Sequence, residues 1–536
     1  MTVNTAAARQ TALRLLPLLA FGALVGLLDG ALPASAQTVP FERGQIPPED
    51  VIPLAEGGLA KALADLPADV AAILKRSGVP GAAVAVVHGG ETVFSEGFGV
   101  KEIGKDEKVD PETVFQIASL SKPIAATVAA VEVTAGKVTW DDKVSRFLPQ
   151  LVLAEPYVAA NATIGDFYAH RSGLPPAAGD DLEDIGFDRA AIIGRLHLLP
   201  LDLFRISYHY ANFGITIGAE AVAVASGMSW EDLADKALFA PLGMTSTSYR
   251  YADFLSRPNR AVLHTLAGGH FEPLYQRDPD AQAPAGGVSS NVVDMAKWLK
   301  LILADGRQGE QQLIAPEALM PAMRPEAFSA PAHSLSARSG FYGYGFNVGV
   351  NANGRPSMSH SGAFVMGAAT VVQILPSADV AIVVLTNGAP VGAAEAIASH
   401  FMDIVQYGAP TRDWYALFNP LLMQYQAPVG DLAGTAPPAA PAAPRPLADY
   451  VGSYDNAYFG PARIEIEGDH LALAIGPGSF RLPLTHWDGD VFSVSPRTEN
   501  APDGSLSSVR FTLEGGRAAS LTVNYLDENG LATWKR

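Results

Sequence analysis

The sequence predicts an α/β domain whose antiparallel sheet takes strands from both ends of that domain, followed by a smaller all-β barrel. Three observations carry this. "GAAVAVVHGGETVFSEGFG" (81–99) reads as two strands turned at Gly89-Gly90, a hairpin signal. "GAATVVQILPSADVAIVVLTNG" (367–388) returns to strands joined by a turn, and the long stretch between them alternates helical patterns with loops. After a Pro/Ala-rich break, the last part of the chain runs in short segments of period-two alternation.

Taken in order, the first 36 residues read as an export signal. Arg9 and Arg14 give a positive start, "LLPLLAFGALVGLL" (15–28) an apolar run, and "ASA" (34–36) small residues for cleavage after Ala36. The run is shorter than the roughly 20 residues a spanning helix needs, so a periplasmic or secreted protein without stable membrane insertion is expected. Residues 37–56 are a Pro-rich lead-in. A helix is expected over 59–78, ending at Gly78, and another over "ATVAAVEVTAGKV" (126–138), helical until Gly136. "AEAIASHFMDIVQYG" (394–408) closes the domain, drawn at 57–426, as a helix. Residues 427–446 read as an extended, semi-rigid linker. Within 447–536, "ARIEIEGDHLALAIG", "SFRLPLTHW", "DVFSVS", "SVRFTLEGG" and "SLTVNYL" are strands of a small antiparallel barrel or sandwich.

At 536 residues the chain is too long for one typical core, which fits two units. Asp and Glu total 55 against 37 Lys and Arg, a net charge of −18 spread along the chain. Such a field repels nucleic acid and anionic lipid. There is no cysteine, which excludes disulfides, thiolate zinc sites and a cysteine nucleophile. No HExxH spacing occurs, and no metal or cofactor is expected.

The chemistry is carried by three short stretches. "ASLSK" (118–122) sets Ser119 three residues before Lys122, so a helix would bring both to one face. A Ser ahead of an apolar helix is more often a simple cap, and S-x-x-K alone does not decide. Ser121, between them, points elsewhere. "SYHYANFG" (207–214) supplies Tyr210 and Asn212 before another apolar helix, and "MSHSGAFVMG" (358–367) places His360-Ser361-Gly362 at the start of strand-like sequence. The order S-x-x-K, Y-x-N, H-x-G is harder to dismiss than any one of them. G-x-S-x-G is absent, against an α/β-hydrolase elbow.

With those motifs, and with "AHRSGLP" (169–175), "FAPLGMTSTSY" (239–249), "PAGGVSSNVVDMAKWLKLIL" (284–303) and "YGYGFNV" (342–348), the chain resembles the serine β-lactamase and penicillin-binding superfamily, in its class C-like branch. The resemblance spans roughly residues 57 to 408. It implies a β-lactamase/transpeptidase-like fold and acyl transfer through a covalent intermediate. Ser119 would attack a carbonyl, Lys122 and Tyr210 would carry protons, and Asn212 would bond the acyl side of the substrate. Backbone N–H groups of Ser119 and Ala363 would form an oxyanion hole beside His360, Ser361 and Gly362.

Two departures from that pattern matter. His360 stands where β-lactamases usually carry Lys, so recognition of a substrate carboxylate should weaken. Members with H-x-G resemble esterases, D-amino-acid peptidases and amidases more than antibiotic hydrolases. The resemblance therefore implies a peptidase or amidase on short, D- or otherwise unusual peptides, linearised cyclic peptides among them. A carboxylesterase, a weak β-lactamase and a ligand-sensing protein that kept the fold stay open. The C-terminal part resembles a lipocalin-like domain appended to some relatives, where it covers the active site or mediates assembly; a homo-oligomer through it also stays open.

Overall fold

The computed structural model describes residues 53–536. The expected export signal and most of the expected lead-in lie outside the described residues.

The chain starts with α1 (Gly58–Ser77), whose buried residues Ala62, Leu66, Val70 and Leu74 recur every four positions and lie on one face. Gly78 stops it in the left-handed conformation, φ 76°. Strands β1 (Gly81–His88) and β2 (Glu91–Gly99) follow, turned at Gly89-Gly90 with φ 61° and 73°. The helical part includes α2 (Ser121–Thr134), the short α3 (Asp180–Asp184), α4 (Asn212–Ser226) and α5 (Val292–Leu303). Strands β3 (Ala327–Ala330), β4 (Gly340–Tyr342), β5 (Asn347–Val350), β6 (Pro356–Phe364), β7 (Ala368–Leu375) and β8 (Val380–Thr386) complete the sheet. α6 (Ala393–Tyr407) and α7 (Trp414–Leu422) close the domain.

The sheet has eight antiparallel strands in the order β2-β1-β8-β7-β6-β5-β4-β3. The first hairpin thus pairs with the last strand, Val84 opposite Val384, and both ends of the domain meet in one sheet. β1 shows why its sequence is almost wholly apolar. Ala83, Ala85 and Val87 join the core shared with the helical part, while Ala82, Val84 and Val86 face α1 and α6. The short strands β3 to β5 carry no period-two signal long enough to read from sequence.

The C-terminal part is an eight-stranded antiparallel meander: β9 (Gly452–Tyr454), β10 (Ala462–Glu467), β11 (His470–Ile475), β12 (Phe480–Asp488), β13 (Val491–Val494), β14 (Ser507–Glu514), β15 (Arg517–Val523) and β16 (Thr533–Lys535). A bridge between Asp455 and Lys535 brings the last strand back beside the first and nearly closes a barrel. Its interior is filled by Tyr450, Tyr454, Phe459, Phe492, Phe511 and Trp534.

Residues 427–446, read from sequence as an extended, semi-rigid linker, run along the barrel. They form no helix or strand, as their prolines dictate, yet they are bonded along the barrel. Leu506 N donates to Val429 O, Asp431 accepts from Ser508 and Arg510, and Ala442 N donates to Asp488.

Trp534 is fully buried and its indole N–H donates to Gly460 O at 2.8 Å. Trp534→Ala is expected to cost about 3–5 kcal/mol through lost packing and the cavity left behind. Denaturant unfolding followed by near-UV circular dichroism should show the barrel's transition moved to lower denaturant.

Candidate active site

Ser119 lies in a single 3₁₀ turn, Ala118–Leu120, immediately before α2. Ala118 holds φ 49°, an uncommon backbone state for a residue with a Cβ, at the step that leads into Ser119. The turn is pinned from several sides. Ile117 N donates to Val288 O, Thr370 Oγ1 donates to Ile117 O, and β6 passes directly beneath. A Cβ on Gly362 would stand 2.3 Å from Ile117 O and 3.0 Å from Ser119 N, so only glycine lets strand and turn approach this closely.

Ser121 is wholly buried, with its hydroxyl 2.6 Å from Ala118 O and accepting from Val288 N at 2.9 Å. It fastens the turn and has no access to a ligand.

Lys122 is buried completely, and its Nζ donates to Ser119 Oγ at 2.9 Å, Asn212 Oδ1 at 2.7 Å and Ala285 O at 2.9 Å. Burial pushes its pKa down to about 7, against an upward pull from Asp180 and Glu183. Tyr210 stacks its ring 4.4 Å from the same nitrogen. Burial raises the Tyr210 phenol, and a hydrogen bond with Ser119 counters part of that rise. Ser119, Lys122, Tyr210 and Asn212 therefore converge on one point, although 93 positions separate the first from the last. Asn212 is committed on both sides of its amide: Oδ1 to Lys122 and Nδ2 to Asp180 at 2.9 Å.

The H-x-G stretch divides between the two faces of β6. His360 faces the site side, 6.4 Å ring to ring from Tyr210. Its Nδ1 donates to Ser361 O at 2.7 Å, which leaves Nε2 to accept from Tyr342 OH at 3.0 Å. Burial, then the Lys122 charge, lowers its pKa to about 3, so the imidazole is neutral throughout the working range. The sequence anticipated neutrality from histidine's ordinary pKa; in the fold, burial enforces it. Ser361, expected among the binding groups, turns its hydroxyl toward the Glu395 carboxyl instead, without a well-formed hydrogen bond. Successive side chains of a strand point to opposite faces, and His360 already takes the site side. Ala363 follows Gly362 on the strand that lies against the Ser119 turn.

Sequence reading missed several residues here. His170, buried with φ 55°, stacks 4.5 Å from Tyr210 and 5.1 Å from Tyr342, and its Nδ1 accepts from Ala211 N. It sits in "AHRSGLP", noted only as a scaffold segment. Tyr208 and Tyr342 complete an aromatic wall, their rings 5.6 Å apart. Asp180, Glu183 and Arg277 form a buried polar layer behind Asn212, with Arg277 donating to Glu183 at 2.6 Å; burial, then Glu183, raises the Asp180 carboxyl well above its ordinary value. Among the described residues no group of three or more acidic or imidazole side chains stands ready for a metal.

A model of the Beta-lactamase family matches residues 66–406. The chain belongs to the Beta-lactamase family. Membership carries the general class, a serine hydrolase. A second model, a domain of unknown function (DUF3471), matches residues 436–532, the barrel. Among curated relatives, the unguisins hydrolase ungD' of Aspergillus campestris is 27% identical over 414 residues, 73% of this chain and 74% of that protein. Penicillin-binding protein 4 of Amycolatopsis lactamdurans is 28% identical over 398 residues, 70% of this chain and 93% of that protein. Among solved structures, the octameric penicillin-binding protein homologue from Pyrococcus abyssi aligns with TM-score 0.57 at 18% identity. It covers 86% of this chain and 98% of its own, a likeness of fold.

Lys122 gives this family member a measurable signature in stability. Its folded pKa, about 7, lies below the ~10.4 of an unfolded lysine. Between those values the unfolded chain binds the extra proton, so this group makes stability rise with pH. Lys122→Met should therefore reduce the slope of unfolding free energy against pH between 7.5 and 9.5 by about 1.4 kcal/mol per pH unit. Urea titrations across that range check it; an unchanged slope would mean that Lys122 is charged in the folded protein.

Proposed function

We propose that this protein is an exported serine peptidase or amidase that cleaves short peptides, including ones with D- or unusual residues, through an acyl-enzyme on Ser119. The observation that carries the reading is the buried Lys122 nitrogen, 2.9 Å from Ser119 Oγ and half deprotonated near pH 7. A serine hydroxyl is too weakly acidic to attack unaided, and a neutral amine at hydrogen-bond distance is the partner it needs.

Ser119 Oγ adds to the carbonyl carbon as its proton passes to Lys122. The oxyanion is held by the N–H groups of Ser119 and Ala363. Tyr210, against both Lys122 and Ser119, returns the proton to the leaving nitrogen, the C–N bond breaks and the acyl-enzyme remains. Water then adds, losing a proton to the same Lys122–Tyr210 pair, and Ser119 leaves reprotonated. The two groups titrate together and act as one base.

Substrate choice follows from His360. A neutral imidazole offers no fixed charge for a carboxylate, which favours peptides, amides and esters over β-lactams. The relative named for hydrolysing unguisins supports an acyl substrate outside the penicillins. The same neutral, aromatic site also suits a carboxylesterase. The export reading rests on residues 1–36, and N-terminal sequencing of the exported protein should begin at Gln37. Among the described residues no helix is long and apolar enough to cross a membrane.

The test is a panel of D- and L-aminoacyl p-nitroanilides, short peptides, p-nitrophenyl esters and nitrocefin. Amides or peptides should be turned over with higher kcat/KM than nitrocefin, and Ser119→Ala should abolish turnover. Lys122→Ala and Tyr210→Phe should each slow acylation by roughly 10²-fold or more and combine non-additively. Ser121→Ala should lower the Tm yet retain turnover at a permissive temperature. Esters alone being cleaved would favour the esterase; full turnover by Ser119→Ala would end the proposal.

A further inference from the structure

Asn212 can assist Lys122 only if its amide is turned the right way. The oxygen and nitrogen of an asparagine side chain are nearly equal in shape, so packing alone does not choose between them. Protonated, Lys122 only donates; neutral, it needs its lone pair for the Ser119 hydroxyl. In both states the side that meets Asn212 is an N–H, which needs Oδ1 facing it. What selects that orientation is Asp180, whose Oδ2 accepts from Asn212 Nδ2 at 2.9 Å on the far side. The Asp180 carboxyl is buried, and its other oxygen has no partner, so the side chain is not there to satisfy a neighbouring network.

Asp180 is placed with care. It begins α3 after Gly179, which has φ 87° and no room for a side chain, since a Cβ would stand 2.6 Å from Ile192 and 2.9 Å from Phe213. Asp180 N donates to Ala177 O, and Ala177 N donates to Tyr210 O, which ties the same loop to a second site residue. Yet α3 is only five residues long and four of them are acidic, DDLED. So short a helix does not persist by itself, and like charges oppose it.

Arg277 and Gln282 hold Glu183 from within the domain, and the barrel holds the other two acids, Asp181 and Asp184. Tyr458 OH donates to Asp181 at 2.8 Å, and the Asn500 side chain donates to Asp184 at 2.9 Å. Ile185, just after the helix, packs against Gly476, where a Cβ would meet Ile185 O at 2.0 Å. Next to Asn500, the half-buried Glu499 accepts from Val365 N at 2.6 Å and Met366 N at 3.3 Å, at the end of the strand that carries Ala363. The barrel thus grips the site from two sides.

We propose that Asp180 is a positioning residue that orients Asn212 toward Lys122, and that the barrel, through Tyr458 and Asn500, holds Asp180 in place. The barrel is then part of the active-site framework and not only a cover or a docking module. This rests on the reading of Ser119 as nucleophile, and labelling by a fluorophosphonate with loss in Ser119→Ala tests that part separately.

The experiment measures the second-order rate of fluorophosphonate labelling, kcat and KM for p-nitrophenyl acetate, and Tm, all on the full exported chain. Asp180→Ala should slow labelling by ~10-fold or more with the loss in kcat and not in KM, whereas Asp180→Asn, whose amide oxygen still accepts, should stay within about threefold. Asp180→Leu, which keeps the same branched shape without an acceptor, should match Asp180→Ala and serves where that variant fails to fold. Asp180→Ala combined with Asn212→Ala should be no slower than Asn212→Ala alone, because both remove one interaction. Tyr458→Phe should slow labelling severalfold with Tm within a few degrees of the parent. Parental labelling by Asp180→Ala or Asp180→Leu, equal losses in Asp180→Asn, or multiplying losses in the double variant would overturn the role of Asp180. Parental labelling by Tyr458→Phe together with an Asn500→Ala variant would overturn the role of the barrel.

Discussion

The structure turns on one buried amine. Lys122 Nζ lies out of contact with water, and its three partners come from three separate parts of the chain: Ser119, Asn212 and Ala285. Taking an ammonium out of water is costly, and the molecule meets that cost chiefly by letting the group go neutral near pH 7. The surrounding acids temper the shift, since Asp180 and Glu183 pull the other way. The result is an amine whose proton equilibrium lies near neutral pH, the condition that the proposed role as base requires.

Much else follows from keeping that nitrogen dry and beside Ser119. The strained Ala118, the Gly362 contact and the buried Ser121 are ways of pressing a helix start against a strand until their backbones nearly touch. His170, Tyr208, Tyr342 and His360 wall the site with rings that carry no charge at neutral pH. Behind it, the acidic run of α3 is met by donors from Asn212, Arg277, Gln282 and the barrel. Domain and barrel are joined at this helix by side-chain hydrogen bonds.

The sequence made much of this legible, for physical reasons that differ from residue to residue. The helix expected at 59–78 is found at Gly58–Ser77, because its apolar spacing and terminal glycine are local signals. The Gly89-Gly90 hairpin follows in the same way, whereas its pairing with a strand 300 positions on is long-range, and the sequence showed only that both ends of the domain supply strands. Ser119, Lys122, Tyr210, Asn212 and His360 could be picked out because three short motifs in one order resemble a family's pattern; no motif alone decides, and nothing local says that the three meet. Asp180 could not, because "DDLED" reads as a solvated face, and the donors that make it a buried one lie far off, at Tyr458 and Asn500. Glu499 was invisible for the same reason, being 134 positions from the N–H it accepts. Ser361 was misjudged because a motif names residues without saying which face of the strand each one takes.

The central claim is that a lysine made neutral by burial activates Ser119. The most direct measurement is the single-turnover rate of acylation as a function of pH, with the acylated residue identified by peptide mass spectrometry. The account predicts acyl on Ser119, a rate that rises through a midpoint near pH 7 and is flat above it, and loss of that limb with Lys122→Ala. A midpoint near the ordinary lysine value of ~10, or acyl found on another residue, would contradict it.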